Sequence, residues 1–164
     1  MIKIDLLKNH PSAIPALADI WHEVLGKIWV PDVPAYSVIT RLKESRNNQA
    51  LPITFIALDG DLPVGMCSLR ENDGIRPDLT PWLGSLVVDP KYQKQGIGRI
   101  LIDVTVLKAK ELGLELCPAE AGPALRLQLK DQPMGDWFTV AMEPLSDAYR
   151  YPELWYVNRD EDGR

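Results

Sequence analysis

Cysteine and histidine are scarce in this chain, two of each among 164 residues. Cys67 and Cys117 stand far apart and show neither a paired redox spacing nor a zinc spacing, so a disulfide-stapled scaffold is not indicated. A reduced, cytoplasmic protein with both thiols as small core residues is expected. His10 and His22 are too isolated to form a metal site, and no metal is expected. Long apolar runs are missing as well: the chain meets Lys8 too soon after Met1 for a secretory leader, and no later stretch has the length of a membrane-crossing helix. There is no basic stripe interleaved with aromatics, and a formal net charge of -5 argues against a nucleic-acid surface. The acidic total leans weakly toward a cationic acceptor, or simply toward a surface that resists self-association. Repeats, low-complexity tracts and charged linkers are absent too, so residues 1–164 are read as a single domain. A domain of this size buries roughly 70% of the surface its unfolded chain exposes.

What is present is an alternation of short strand and helix patterns. Ile2, Ile4 and Leu6 alternate with polar residues, the two-residue period of a strand. Ile14, Leu17, Ala18, Trp21, Val24 and Leu25 recur at helical spacing, with Pro15 in the first turn and Gly26 beyond the end. A second helix is predicted from Pro34 to about Arg46, with Tyr36, Ile39 and Leu42 inward. Residues 53–58 and 64–69 read as two strands joined by Asp59-Gly60-Asp61, a hairpin signal. After a polar stretch from Glu71 to Thr80, the apolar run Trp82 to Val88 predicts a central strand buried on both faces. Ile97, Ile100, Leu101, Val104 and Leu107 then mark a long helix closed by Gly113. Further on, 114–117 reads as a short fifth strand, 124–130 as a short helix, and 137–142 and 153–158 as two last strands. The expected fold class is α+β.

The chemistry sits between Ser85 and Leu101: apolar strand, Asp89-Pro90, a polar turn, Gly96-Ile97-Gly98, then an amphipathic helix. A helix start leaves backbone N–H groups unpaired and carries partial positive charge, so a glycine-rich entry lets an anion approach those donors. A pyrophosphate fits such a site. No Walker-type run exists, and Leu101 stands where a dinucleotide fingerprint needs its third glycine, so ATP and NAD are poor candidates.

Gln93-x-x-Gly96-x-Gly98 after Val87-Val88-Asp89-Pro90 resembles the coenzyme A signature of the GNAT superfamily of N-acetyltransferases, and the Asp59-Gly60-Asp61 hairpin resembles the family's turn between strands two and three. The resemblance implies a mixed, mostly antiparallel central sheet flanked by helices. It implies acetyl-CoA as co-substrate, with the pyrophosphate held by the turn Gln93, Lys94, Gln95, Gly96, Ile97, Gly98 and Arg99. Leu86, Val87 and Val88 would pair with the pantetheine arm like an added strand. Lys94 and Arg99 either assist the phosphates or are solvated charges.

Direct acetyl transfer needs a neutral amine, and at pH 7 only about one lysine-like amine in a few thousand is unprotonated. Glu71, just past strand three, and Asp73, in the next loop, are the candidate bases, because the acceptor cleft of the resembling family lies beside that part of the sheet. A solvated loop charge is the competing account for each. Asp89 is read as a turn starter. The family's usual acid, a tyrosine four residues before a glycine in the last helix, does not carry over: that register from Gly135 gives Asp131, and residues 125–130 contain no tyrosine. Tyr149 or Tyr151 would be substitutes, with turn or packing roles as the alternative. Trp29, Asp32 and Tyr36 could shape an amine pocket or simply pack the helices. The expected activity is acetyl transfer to a primary amine of a small molecule or peptide within a ternary complex; the alternative is a non-catalytic coenzyme A-binding or interaction module. A larger acyl group would use the same site, and a homodimer is compatible with this reading.

Overall fold

Alternation at Ile2, Ile4 and Leu6 is realised as strand β1 (Ile2–Leu6), which pairs antiparallel with β2 (Ile53–Asp59). The computed structural model describes residues 1–29, 31–72, 80–118, 120–128, 134, 137–140, 142, 145–146, 152–153 and 156–158. β2 turns through Gly60, whose φ of 61° suits a side-chain-free residue, into β3 (Leu62–Arg70), and β3 pairs antiparallel with β4 (Trp82–Val88). The sheet order is β1-β2-β3-β4.

Helices α1 (Ile14–Trp21), α2 (Lys27–Trp29) and α3 (Ala35–Glu44) precede β2. Their buried side chains, Leu17, Trp21, Val38 and Leu42 among them, pack on Ile56, Met66 and Val87 from one face of the sheet. On the other face, α4 (Ile97–Glu111) sets Ile97 and Leu101 against Phe55, Ala57 and Cys67. A close-packed sheet sandwiched this way is the α+β architecture expected.

Cα proximity divides the chain into Met1–Gly113 and Leu114–Arg164. The second unit contains α5 (Ala121–Gln128), strands β5 (Trp137–Thr139) and β8 (Tyr156–Asn158) in an antiparallel pair, and the short pair β6 (Leu145–Ser146) and β7 (Pro152–Glu153).

Five local expectations are corrected. Gly26 does not end the first helix: it is buried in a π-helical turn, His22–Gly26, that continues α1 into α2. A Cβ there would stand 3.1 Å from both the Trp21 and His22 rings. Tyr36 is 72% exposed, because the face of α3 that packs on the core is the one carrying Val38 and Leu42. β4 is not central; it ends the described sheet order and only its Val87 is buried. Residues 114–117 form no strand, Cys117 making only an isolated bridge to Met142, so nothing in that stretch extends the sheet. Cys117 itself is exposed, while Cys67 is buried as expected.

Candidate functional site

The connection from β4 to α4 is built by its own side chains. Asp89 N–H donates to Val64 O (2.8 Å), the Asp89 carboxylate accepts from Lys91 N–H (2.9 Å), and Tyr92 N–H donates to Asp89 O (2.8 Å). Asp89 therefore works as the turn starter its Asp-Pro context implies. Gln93 Nε2 donates to Val88 O at 3.0 Å, tying the turn back to the strand end. Lys94 (φ 59°) and Gly96 (φ 81°, ψ -1°) then take left-handed conformations, which swing successive amides toward one side. Ile97, 2% exposed, anchors the helix start in the core.

The first helical bond is Ile100 N–H to Gly96 O, 3.2 Å. Among the described residues no group accepts from the amides of Gln95, Gly96, Ile97, Gly98 or Arg99. Five donors at the positive end of a 15-residue helix make a cradle for an anion. Gly98 adds an independent observation. Its φ is not left-handed, and a Cβ built there would meet nothing closer than Val88 Cγ2 at 3.9 Å, so the fold itself has room for a side chain. What the missing side chain leaves open is the approach to those amides. These residues fit a pyrophosphate. Lys94 is exposed and makes no ion pair among the described residues, whereas Arg99 Nε is engaged by Asp103 at 3.0 and 3.2 Å along the helix surface.

β4 carries a second irregularity. Met66 pairs with Val87 and Ser68 with Gly84, so two residues, Ser85 and Leu86, stand opposite Cys67. This is a β-bulge, and Ser85 takes a φ of 52° that a non-glycine residue rarely adopts. A bulge leaves backbone groups out of the ladder and re-aims the strand, here directly before the residues expected to receive the pantetheine arm.

Beside Ser85 a pocket of about 80 Å³ opens between the α1 and α3 face and the sheet, lined by Trp21, Arg41, Glu44, Ser45, Ser68 and Arg70 with neighbouring apolar side chains. The Arg41 guanidinium lies over the Trp21 ring, 5.0 Å from its centre. Burial, with Arg70 nearby, lowers the Arg41 pKa from its ordinary value. Below the pocket three buried hydroxyls form a chain. Ser45 Oγ donates to Leu42 O (3.0 Å) and Thr54 Oγ1 donates to Ser45 Oγ (2.9 Å), so the 2.8 Å contact between Ser68 and Thr54 must have Ser68 as its donor. Every proton of this chain points inward.

Of the candidate bases, Glu71 is exposed immediately after β3, and Asp73 lies outside the described residues. So do Asp131, Gly135, Tyr149 and Tyr151, and the side chain of Trp29; Asp32 is exposed. Cys67 is no nucleophile, because burial pushes its thiol up to about 12. Among the described residues no cluster of metal-ligating side chains occurs, and no helix is long and apolar enough to cross a membrane. Sequence reading missed Arg41, Arg70, Ser85 and Gly65. Gly65 alone left a local trace, a glycine inside a strand pattern: its Cβ would fall 2.7 Å from Val87 O.

The model of a family described as the acetyltransferase (GNAT) family matches residues 15–126. No curated protein is similar enough to count as a relative. Among solved structures, a GNAT-family acetyltransferase from Staphylococcus aureus Mu50 is similar with a TM-score of 0.56 and 15% identity, covering 96% of this chain and 99% of its own. A glucosamine-6-phosphate N-acetyltransferase from Arabidopsis thaliana reaches 0.50 at 12% identity, covering 77% and 89%. An aminoglycoside 6'-N-acetyltransferase complexed with coenzyme A reaches 0.51 at 24% identity over 69% of this chain; the match spans only 57% of that protein. These likenesses concern the fold.

Proposed function

We propose, because this chain belongs to the acetyltransferase (GNAT) family and is an acyltransferase using acetyl-CoA, that it moves the acetyl group to a primary amine of a small molecule or peptide by direct attack in a ternary complex. The observation that carries the reading is the row of amides from Gln95 to Arg99, without acceptors among the described residues and left accessible by Gly96 and Gly98. These would hold the pyrophosphate, with Lys94 as a supplementary charge. Leu86, Val87 and Val88 would pair with the pantetheine arm along a strand that no other described strand flanks on its outer side.

Direct attack is favoured over a covalent acetyl-enzyme because Cys67 is buried and keeps its proton, and no histidine follows the exposed Cys117 in the sequence to act as its base. A carboxylate, Glu71 or Asp73, takes the proton from the attacking amine, and the coenzyme thiolate, with an aqueous pKa near ~8.5, leaves without a strong acid. Calorimetry with acetyl-CoA on the full chain and on a Gly96→Glu variant tests the coenzyme site. Saturable binding that the variant abolishes is expected, and equal binding by both would sink the assignment. A thiol-release assay over a library of amines tests transfer, and Glu71→Gln and Asp73→Asn variants assign the base: the one that lowers kcat more than ~10-fold is expected to act on the proton.

A further inference from the structure

The whole chain is acidic, yet the pocket beside the β4 bulge brings two guanidiniums, Arg41 and Arg70, into one lining. We propose that this pocket is the acceptor subsite and that Arg41 and Arg70 there bind an oxyanion carried by the acceptor, a carboxylate or a phosphate, so that the substrate is an amine bearing an acidic group. The inference rests on the acetyl-transfer reading and narrows its acceptor.

Four observations support it. First, Arg41 is half-buried and held over Trp21, and among the described residues no carboxylate, Glu44 included, comes within 4 Å of it. A fixed, partly desolvated guanidinium without a counter-ion is a preformed oxyanion donor, because its planar fork matches carboxylate and phosphate. Second, the hydroxyls of Ser45 and Ser68 spend their protons inside the protein, so toward the pocket they offer lone pairs only. An anion there finds its side-chain donors in the two arginines, while the hydroxyl oxygens can accept from an ammonium. Third, about 80 Å³ is room for several waters, since one needs roughly 10–15 Å³ by the same measure; a carboxylate or phosphate group fits, a whole sugar does not. Fourth, Ser85 lines the pocket and begins the bulge that leads into Leu86 to Val88, so an acceptor anchored here stands next to the strand assigned to the coenzyme.

The probe is inorganic phosphate, titrated by calorimetry into the full chain already saturated with coenzyme A so that the turn at Gly96 is filled. Saturable binding in the millimolar range is expected, weakened at least ~10-fold by Arg41→Met or Arg70→Met, as loss of a charge-assisted hydrogen bond implies. Lys43→Met, an exposed change on α3 outside the pocket, should leave it intact. Should one arginine variant fail to fold, the other reads the same pocket. Steady-state rates then compare amines with their acid-capped counterparts, amino acids against amino amides and amino-sugar phosphates against amino sugars. The first pair tests a carboxylate, the second a phosphate. A preference of at least ~10-fold in kcat/KM for one acidic class, carried by KM and erased by Arg41→Met, is expected. Phosphate binding that is absent, or unchanged in both arginine variants, overturns the proposal, as does equal turnover of acidic and capped amines. Neither result touches the coenzyme site, which acetyl-CoA calorimetry reads separately.

Discussion

At the scale of single residues, the two glycines of the turn do different jobs. Gly96 is required by the backbone: at φ 81° any other residue is strained, whatever space surrounds it. Gly98 is required by neither backbone nor packing, so Gly98→Ala should leave stability unchanged or raise it by up to about 1 kcal/mol through better helix propensity. The same methyl group stands over the open amides and should raise the acetyl-CoA Kd by ~10-fold or more. Urea denaturation and calorimetry on one sample separate the two effects; an unaltered Kd would remove Gly98 from the site. Gly65 is the converse case, a glycine needed by packing alone. Gly65→Ala sets a Cβ 2.7 Å from Val87 O and also near Leu101, and overpacking of this kind should cost about 1–3 kcal/mol in the same denaturation experiment.

At the scale of elements, the parts with strong local punctuation were readable from the sequence and the parts set by tertiary register were not. The β2–β3 hairpin and α4 are legible because Gly60 and Gly113 sit where positive φ is needed, at 61° and 76°. The β4–α4 turn is legible for the same reason. The phase of α3 was not, since apolar residues lie on two sides of it and only its packing against α1 and the sheet decides that Val38 wins over Tyr36. Nor was the bulge, because Ser85 carries no residue-level sign of a left-handed conformation. The pocket is further still from the sequence: Arg41 on α3 and Arg70 at the end of β3 line it together although they stand far apart in the chain. A smaller element shows how local chemistry sets pH dependence. Asp5 closes β1 by accepting from Leu6 N–H and Asn9 Nδ2 (both 2.8 Å), and it meets His10 Nε2 and Lys3 Nζ (both 3.0 Å). The His10 hydrogen bond foremost, with Lys3, Asn9 and Leu6, holds its carboxyl well below the usual range against the opposing effect of burial. Because the folded-state value lies below the unfolded one, near ~3.9, the contribution is present above that pH and is lost as pH falls through and below it. Asp5→Asn should therefore cost roughly 1–2 kcal/mol at pH 7, and the gap from wild type should narrow steadily in denaturation series taken below pH ~4.

At the scale of the whole molecule, a chain of net charge -5 that binds a polyanionic co-substrate must do so against its average field. Local geometry makes this possible: the backbone amides of the turn and the dipole of α4 act within a few ångströms, where the summed surface charge is largely screened at physiological salt. The elements that form the turn, β4 and α4, are also the ones that cover β3, so the proposed coenzyme site and one face of the Met1–Gly113 core share residues such as Ile97 and Val88. Binding to the folded state is then linked to its stability. With acetyl-CoA at a hundred times its Kd, the stabilisation is about 2.7 kcal/mol, and for a chain of this length each kcal/mol raises Tm by roughly 2–4 °C. Scanning calorimetry should accordingly show a rise of about 5–11 °C. If Met1–Gly113 and Leu114–Arg164 unfold in separate transitions, the rise belongs to the one that includes the turn. Gly96→Glu should abolish the shift while keeping a cooperative transition. A shift of equal size in that variant would mean that the ligand is held elsewhere.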